Sequence, residues 1–196
     1  ILGKDERAAL ESLEGYGGRG TIAYPDCCQL RFDKSGATVS GSIAWAVGSS
    51  GASWLLAFAE GPHGIALVAC ALGGSNVKVG RTSSLDLTTA LSTIELSSVP
   101  VVAFSKKSTV IVSDVLSAVK ACEVTGICKR ALEMSVEYVK TRNQFGVPIG
   151  SFQAVQHKLA DCHSKAQALG SLSHFATWSA KSSPEQLPLT ARSAII

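Results

Sequence analysis

A polar and aromatic segment at residues 142–153 holds the side chains of this sequence with the clearest capacity to bind a ligand. Arg142 ends a predicted helix, where its guanidinium can pair with diphosphate oxygens through parallel hydrogen bonds. Phe145 and Phe152 flank the glycine and proline of the turn that follows. Without a ligand, Arg142 would be a solvated cation that favours the helix dipole, and Phe145 would be a hydrophobic cap. The residue types alone leave both interpretations open.

Other candidates for acid–base or nucleophilic chemistry are weaker. Glu123 lies among apolar residues, where a desolvated carboxylate could act as a base, but pairing with a neighbouring cation on the helix surface is the simpler interpretation. His157 and His163 fall on different faces of a predicted helix, and no serine or cysteine nucleophile motif accompanies them. We therefore predict no catalytic residue in this sequence.

The cysteines give no sign of a metal site. The sequence has 6 of them, without a CxxC pair or a spacing that gathers metal ligands. Cys122, Cys128 and Cys162 lie in predicted helices and are interpreted as small buried residues in a reducing compartment. Cys27 and Cys28 follow a Pro-Asp turn, where we expect two partly buried thiols rather than a strained disulfide.

Composition and charge exclude several partner classes. The 196 residues are 46% hydrophobic and 17% charged, which allows a substantial core and leaves surface for other subunits to cover. The net charge of +3 is small and the cations are scattered, so we expect no nucleic-acid partner. No apolar run approaches the ~20 residues that span a bilayer, and no signal-peptide pattern is present. We expect a cytoplasmic protein without a membrane partner.

The first half of the chain reads as β structure. From about residue 21 to 104 it is rich in β-branched and alternating apolar residues, with Gly and Ser between the runs. Strands recur at intervals of about ten residues with no helical segment between them, which predicts an antiparallel β barrel or sandwich. A short amphipathic helix is predicted before it, at residues 4–14.

The second half reads as helical. Helical spacing over ~35 residues predicts one long helix from about Ser108 that ends before Gly146. A second helix, antiparallel to the first, is predicted from the N-cap candidate Ser151 towards Ser179, and a third from residues 182–185. The apolar positions of the first helix are Val112, Val115, Val119, Cys122, Val124, Ile127, Ala131, Met134 and Tyr138.

These patterns predict an α+β fold class, in which the β barrel or sandwich is followed by long antiparallel helices. The predicted domains are the end of a helical region at residues 1–20, a middle β domain at residues 21–105 and a helical domain at residues 106–196.

The pattern R-x-x-F-G-x-x-I-x-x-F-Q-x-x-x-x-x-L-A-D covers residues 142–161 and resembles the acyl-CoA dehydrogenase family. Residues 41–47 are similar to that family's β-domain strand G-x-K-x-W-I-T, with Trp45 retained and Val47 at the threonine position. The resemblance covers nearly the whole chain, which corresponds to the middle of the family: the β domain and an incomplete C-terminal four-helix bundle.

The resemblance implies FAD as cofactor, an acyl-CoA thioester as substrate and α,β-desaturation, a reaction of lipid metabolism. It further implies a homo- or hetero-oligomer, because the flavin would lie mainly in a neighbouring subunit, and an electron-transfer flavoprotein as acceptor. Trp45 and Val47 would lie against the flavin ring, although Trp45 could equally be a core aromatic. The residues implied to contact the adenine–diphosphate half are Arg142, Gln144, Phe145, Phe152 and Gln153.

Three departures from the family pattern bear on activity. The position of the family's catalytic glutamate on the first long helix is Leu116, and its D-x-x-R pair reads Asp114 with Ser117, so only Asp114 remains to contact the thioester. Val47 lacks the hydroxyl of the family's threonine. The sequence thus predicts an acyl-CoA dehydrogenase-like flavoprotein that acts as a degenerate or partner subunit. The alternatives are a non-catalytic structural or interaction protein, and oxygen-using flavin oxidation.

Overall fold

The chain divides into two compact units, with the boundary between Ser113 and Asp114. The computed structural model describes residues 18–24, 28–33, 38–61, 64–103 and 106–195. The helix predicted at residues 4–14, Cys27 of the cysteine pair and residues 104–105 lie outside the described residues.

One mixed sheet builds the first unit. Its strands follow the order β6-β7-β3-β2-β4-β5-β8, with β1 paired to β4. Both β1 and β2 run parallel to β4, while the remaining pairs are antiparallel. The α+β class is confirmed, and the parallel pairs are an addition that the sequence did not predict. The strands are β1 (Arg19–Ile22), β2 (Cys28–Phe32), β3 (Thr38–Val47), β4 (Ala52–Gly61), β5 (Gly64–Ala71), β6 (Val77–Thr82), β7 (Leu91–Pro100) and β8 (Val102–Ala103).

An irregularity in β3 decides which of its side chains enter the core. The pairing of β3 with β7 shifts register between Ile43 and Ala46, and both of these residues are fully buried. In an undisturbed strand they would point to opposite faces. Trp45 is consequently 56% exposed and Val47 45% exposed. The interpretation of Trp45 as a core aromatic is therefore wrong.

Three helices build the second unit: α1 (Lys106–Thr141), α2 (Gln153–Ser182) and α3 (Leu187–Ser193). The long helical hairpin is confirmed, but α2 is capped by Phe152 rather than by Ser151. Ser151 instead lies in a 3-10 turn (Ile149–Ser151) that leads into α2.

Small and polar side chains hold α1 against α2. The Thr125 hydroxyl donates to the Ser173 hydroxyl at 3.1 Å, and the Cys122 sulfur lies 3.2 Å from the Thr177 hydroxyl. Among the three helical cysteines, Cys162 is exposed, so its interpretation as a buried residue is wrong. The buried apolar core of the unit combines Ala118, Ala121, Ala176, Leu187, Ala191 and Ala194.

Within the described ranges, no helix is both long and apolar enough to cross a membrane.

Candidate cofactor site

A tight hairpin joins α1 to α2. It pairs β9 (Asn143–Gln144) with β10 (Val147–Pro148), and the two residues between them, Phe145 and Gly146, have φ angles of 55° and 80°. Positive φ at both central positions is typical of a type I′ turn. Because a non-glycine residue pays a steric cost of about 1–2 kcal/mol in this region, Phe145 is held there by its surroundings.

Hydrogen bonds from both sides fix this turn. The Ile149 N–H donates to the Arg142 carbonyl at 2.8 Å, which closes the hairpin at the end of α1. On the α2 side, the Ser151 hydroxyl donates to the Pro148 carbonyl at 2.7 Å and the Gln156 amide donates to the Gly150 carbonyl at 2.9 Å. The backbone between the two helices is thereby ordered before any ligand arrives.

The side chains of the turn form an open binding surface. Phe145 is 92% exposed, and its ring meets that of Phe152 edge to face at a centroid distance of 6.2 Å. Arg142 is exposed, and no carboxylate of the described residues forms an ion pair with it. A free guanidinium beside an exposed aromatic pair suits a ligand that carries both phosphate and a planar heteroaromatic ring. The structure brings together on this one turn all five predicted residues, namely Arg142, Gln144, Phe145, Phe152 and Gln153.

Trp45 and Val47 belong to the sheet unit. Both present apolar side chains to solvent from β3, and the Thr21 hydroxyl donates to the Val47 carbonyl at 2.6 Å. A flat exposed indole with an apolar neighbour suits the face of an aromatic ring. The side chain of Val47 offers that ring no hydrogen bond.

Asp114 has the most unusual electrostatic environment among the predicted site residues. It is buried, and burial raises the pKa of its carboxyl above the ordinary value, an effect that the positive charge of Arg192 on α3 partly offsets. No hydrogen bond or ion pair to this carboxylate occurs within the described ranges. Leu116 and Ser117, which follow it on α1, are half-buried. A desolvated acid of this kind is typical of functional positions, although structural acids also show it.

Two positioning contacts were not predicted from the sequence. The Gln156 side chain reaches Gly150 across the start of α2, and the Thr21 hydroxyl reaches β3 from β1. No spacing rule links either pair, because each depends on how the chain folds back. The sequence signal was limited to polar residues next to the motif.

Comparison with known proteins identifies the family. Residues 118–195 match the family described as acyl-CoA dehydrogenase, C-terminal domain. Over 161 residues, the chain is 32% identical to acyl-CoA dehydrogenase FadE34 of Mycobacterium tuberculosis (strain ATCC 25618 / H37Rv), an alignment that covers 82% of this chain and 21% of the relative. The chain belongs to the acyl-CoA dehydrogenase family. It spans about one fifth of the length of this curated relative.

Solved acyl-CoA dehydrogenase structures share the fold of both units. A variant of the Tcur3481-Tcur3483 steroid ACAD matches with a TM-score of 0.80 and 27% identity, over 98% of this chain and 56% of that one. The ChsE4-ChsE5 complex from Mycobacterium tuberculosis matches with a TM-score of 0.75 and 26% identity, over 88% of this chain and 50% of that one. The sheet and the helical hairpin thus correspond to the middle and C-terminal domains of acyl-CoA dehydrogenases.

Proposed function

We propose that this chain acts in FAD-dependent α,β-desaturation of an acyl-CoA thioester, as a subunit that lends its 142–153 turn to an FAD site shared with a neighbouring subunit. The observation that carries the proposal is the ordered turn, on which an unpaired Arg142 stands beside the exposed rings of Phe145 and Phe152. Acyl-CoA dehydrogenases are generally FAD-dependent, and their motif residues coincide here with this surface.

Each residue of the turn has a distinct proposed role. Arg142 would pair with the diphosphate oxygens, and the two phenylalanine rings would pack against the adenine. The amides of Gln144 and Gln153 would satisfy polar edges of the same half of the cofactor. When bound, FAD supplies the hydride acceptor.

The remaining proposed contacts lie outside the turn. On β3, Trp45 and Val47 would pack against the flavin ring. Asp114 would contact the acyl thioester, and its desolvated carboxyl would hold a proton more readily than a solvated acid.

The proposed role is that of a supporting subunit, because Leu116 has no group that can accept the α-proton of the substrate. The base would then come from outside the described residues. The exposed thiols of the chain fit a reducing cytoplasm, and an electron-transfer flavoprotein would reoxidise the flavin.

Titration of FAD against the purified chain, alone and with a co-expressed partner, tests the proposal. We expect flavin absorbance to co-purify, and Arg142→Gln to weaken FAD binding roughly tenfold or more, as loss of a charge-assisted hydrogen bond does. Lys158→Gln, an exposed cation of α2 outside the turn, is the matched control. Absence of flavin in every preparation, with no uptake of added FAD, would falsify the proposal.

The second candidate function is a non-catalytic structural or interaction protein. The loss of an acid at Leu116 and of a hydroxyl at Val47 favours it. It predicts normal assembly without flavin, so the same titration separates the two. Oxygen consumption, compared with reduction of an artificial acceptor, separates a dehydrogenase from an oxidase.

A further inference from the structure

An apolar stripe runs along the outside of α1. Its large side chains are between 39% and 60% exposed, which is unusual for residues at regular helical spacing. The stripe extends over about 21 Å of the helix at 1.5 Å per residue. We call these five residues the outer stripe: Val124, Ile127, Ala131, Met134 and Tyr138.

The outer stripe does not face the other helices of its own chain. The contacts of α1 with α2 and α3 use Ala118, Ala121 and Thr125. At 100° per residue, those positions lie about 120° or more around the helix from the outer stripe. A further helix can therefore pack on the outer stripe without displacing α2 or α3.

The spacing within the outer stripe is that of a coiled-coil seam. Successive members are separated by three and four residues in alternation, which corresponds to the a and d positions of a heptad repeat. The residues at the g positions, which flank such a seam on one side, are Glu123, Arg130 and Glu137. In coiled coils these positions set the partner and the orientation.

The flanking charges suit one arrangement of two copies. In an antiparallel pair whose two-fold axis lies between Leu132 and Glu133, Ala131 packs on Met134 of the second copy. Arg130 then lies beside Glu137 of the second copy, and the reciprocal pair forms at the same time.

Other arrangements of the same two helices lack this match. A shift of one heptad in either direction sets Glu123 beside Glu137, or Glu137 beside its own counterpart. A parallel pair would place Arg130 next to the uncharged Ser135. The one competing contact is an exposed ion pair of Arg130 with Glu133 of its own chain at 3.4 Å, and such pairs contribute little.

We propose that a second copy of this chain binds to the outer stripe, α1 against α1 and antiparallel, in the register that pairs Arg130 with Glu137. The assignment goes beyond the proposed FAD chemistry and holds whether or not FAD binds. In this register Asp114 of one copy comes level with Ser151 of the second copy. Each copy would thus carry its 142–153 turn to the thioester end of its neighbour's α1.

The contact area sets the expected affinity. A helix pair of this length falls near the lower limit of about 1,000 Å² for a specific interface, where complexes are weak. We therefore expect a monomer–dimer equilibrium at concentrations on the order of ten micromolar rather than a permanent dimer.

Charge reversal tests the register by sedimentation equilibrium of the purified chain. Arg130→Glu puts glutamates at both flanking positions and Glu137→Arg puts arginines there, so each variant alone should dimerise at least roughly tenfold more weakly. An equimolar mixture of the two should recover the wild-type dimer fraction, because both contacts between the two variants are then Glu with Arg. Lys158→Glu, outside the outer stripe, should leave the dimer fraction unchanged.

Several results would overturn the pairing. These are a wild-type chain that stays monomeric, single variants that dimerise as the wild type does, and a mixture that stays monomeric while both variants keep wild-type circular dichroism. A second measurement does not depend on charge: the register sets Cys128 beside Ser135 of the second copy, so Ser135→Cys should give a covalent dimer on mild oxidation. A covalently monomeric product after complete oxidation also counts against the pairing.

FAD uptake, measured on the same samples, separates the two proposals. A recovered mixed dimer without flavin supports the pairing and contradicts the proposed function. Flavin bound to variants that never dimerise, alone or mixed, supports the function and contradicts the pairing.

Discussion

The ring of Phe145 stands on edge against the ring of Phe152, with their planes at 83° and their centroids 6.2 Å apart. The contact joins the tip of the hairpin to the residue that caps α2. It fixes the direction of a side chain that is otherwise 92% exposed. The aromatic surface beside Arg142 is therefore ordered by contacts within the chain.

Gly146→Ala should lower the free energy of unfolding by about 1 kcal/mol, because an L-residue is strained at a φ of 80°. A Cβ there would meet no atom within 4 Å, so the loss would reflect backbone conformation and not a clash. Gly126→Ala is the matched control: it is equally open but lies inside α1, where alanine should add about 0.5–1 kcal/mol. Urea denaturation followed by circular dichroism measures both, and equal effects of the two substitutions would contradict the assigned turn.

Trp45→Ala should cost about 1 kcal/mol or less of stability, since half of the side chain is already in water. Ile43→Ala on the same strand should cost about 2–5 kcal/mol, because Ile43 is fully buried. Chemical denaturation of the two variants under the same conditions gives the comparison. If Trp45→Ala proved the more costly, the register shift in β3 would be placed wrongly.

Asp114→Asn should stabilise the fold near neutral pH. Because burial raises the folded-state pKa of this carboxyl above its ordinary value of 3.8, the folded state binds more protons than the unfolded state between the two values. Stability contributed by Asp114 is thus greatest below 3.8 and is lost as the pH rises through the folded pKa. The gain from the substitution should therefore vanish in acid.

Urea denaturation of the wild type and of Asp114→Asn at several pH values measures this difference. The exposed Asp161→Asn exchange on α2 serves as the control and should show no such pH dependence. A destabilised Asp114→Asn at neutral pH would mean that the ionised carboxylate has a strong partner in the fold.

Cys70 and Cys162 should differ sharply in reactivity. Burial raises the pKa of the Cys70 thiol to about 11, whereas Cys162 is exposed. At mildly alkaline pH, iodoacetamide should therefore label Cys162 in minutes and label Cys70 only after unfolding, since the thiolate is the nucleophile. Mass spectrometry of the alkylated peptides distinguishes them, and rapid labelling of Cys70 in the native chain would show that β5 opens readily.

Much of the helical unit was predictable because its signals are local. Helical spacing predicted α1 and α2, and the F-G and F-Q pairs around the turn indicated the family. The limits of the prediction appear on α1 itself. Apolar residues occur on more than one side of this helix, so periodicity could not tell that Thr125 faces α2 while Ile127 and Met134 face outwards.

The sequence by itself determined the fold class, the two long helices and the family, because alternation, helical period and a twelve-residue motif are written in neighbouring positions. Only the tertiary structure decided the exposure of Trp45, the parallel pairing of β1 and β2 with β4, and the side of α1 that stays bare. A strand irregularity inverts the side-chain alternation that a pattern assumes. Likewise, the choice between two apolar helix faces depends on which partner the fold brings near.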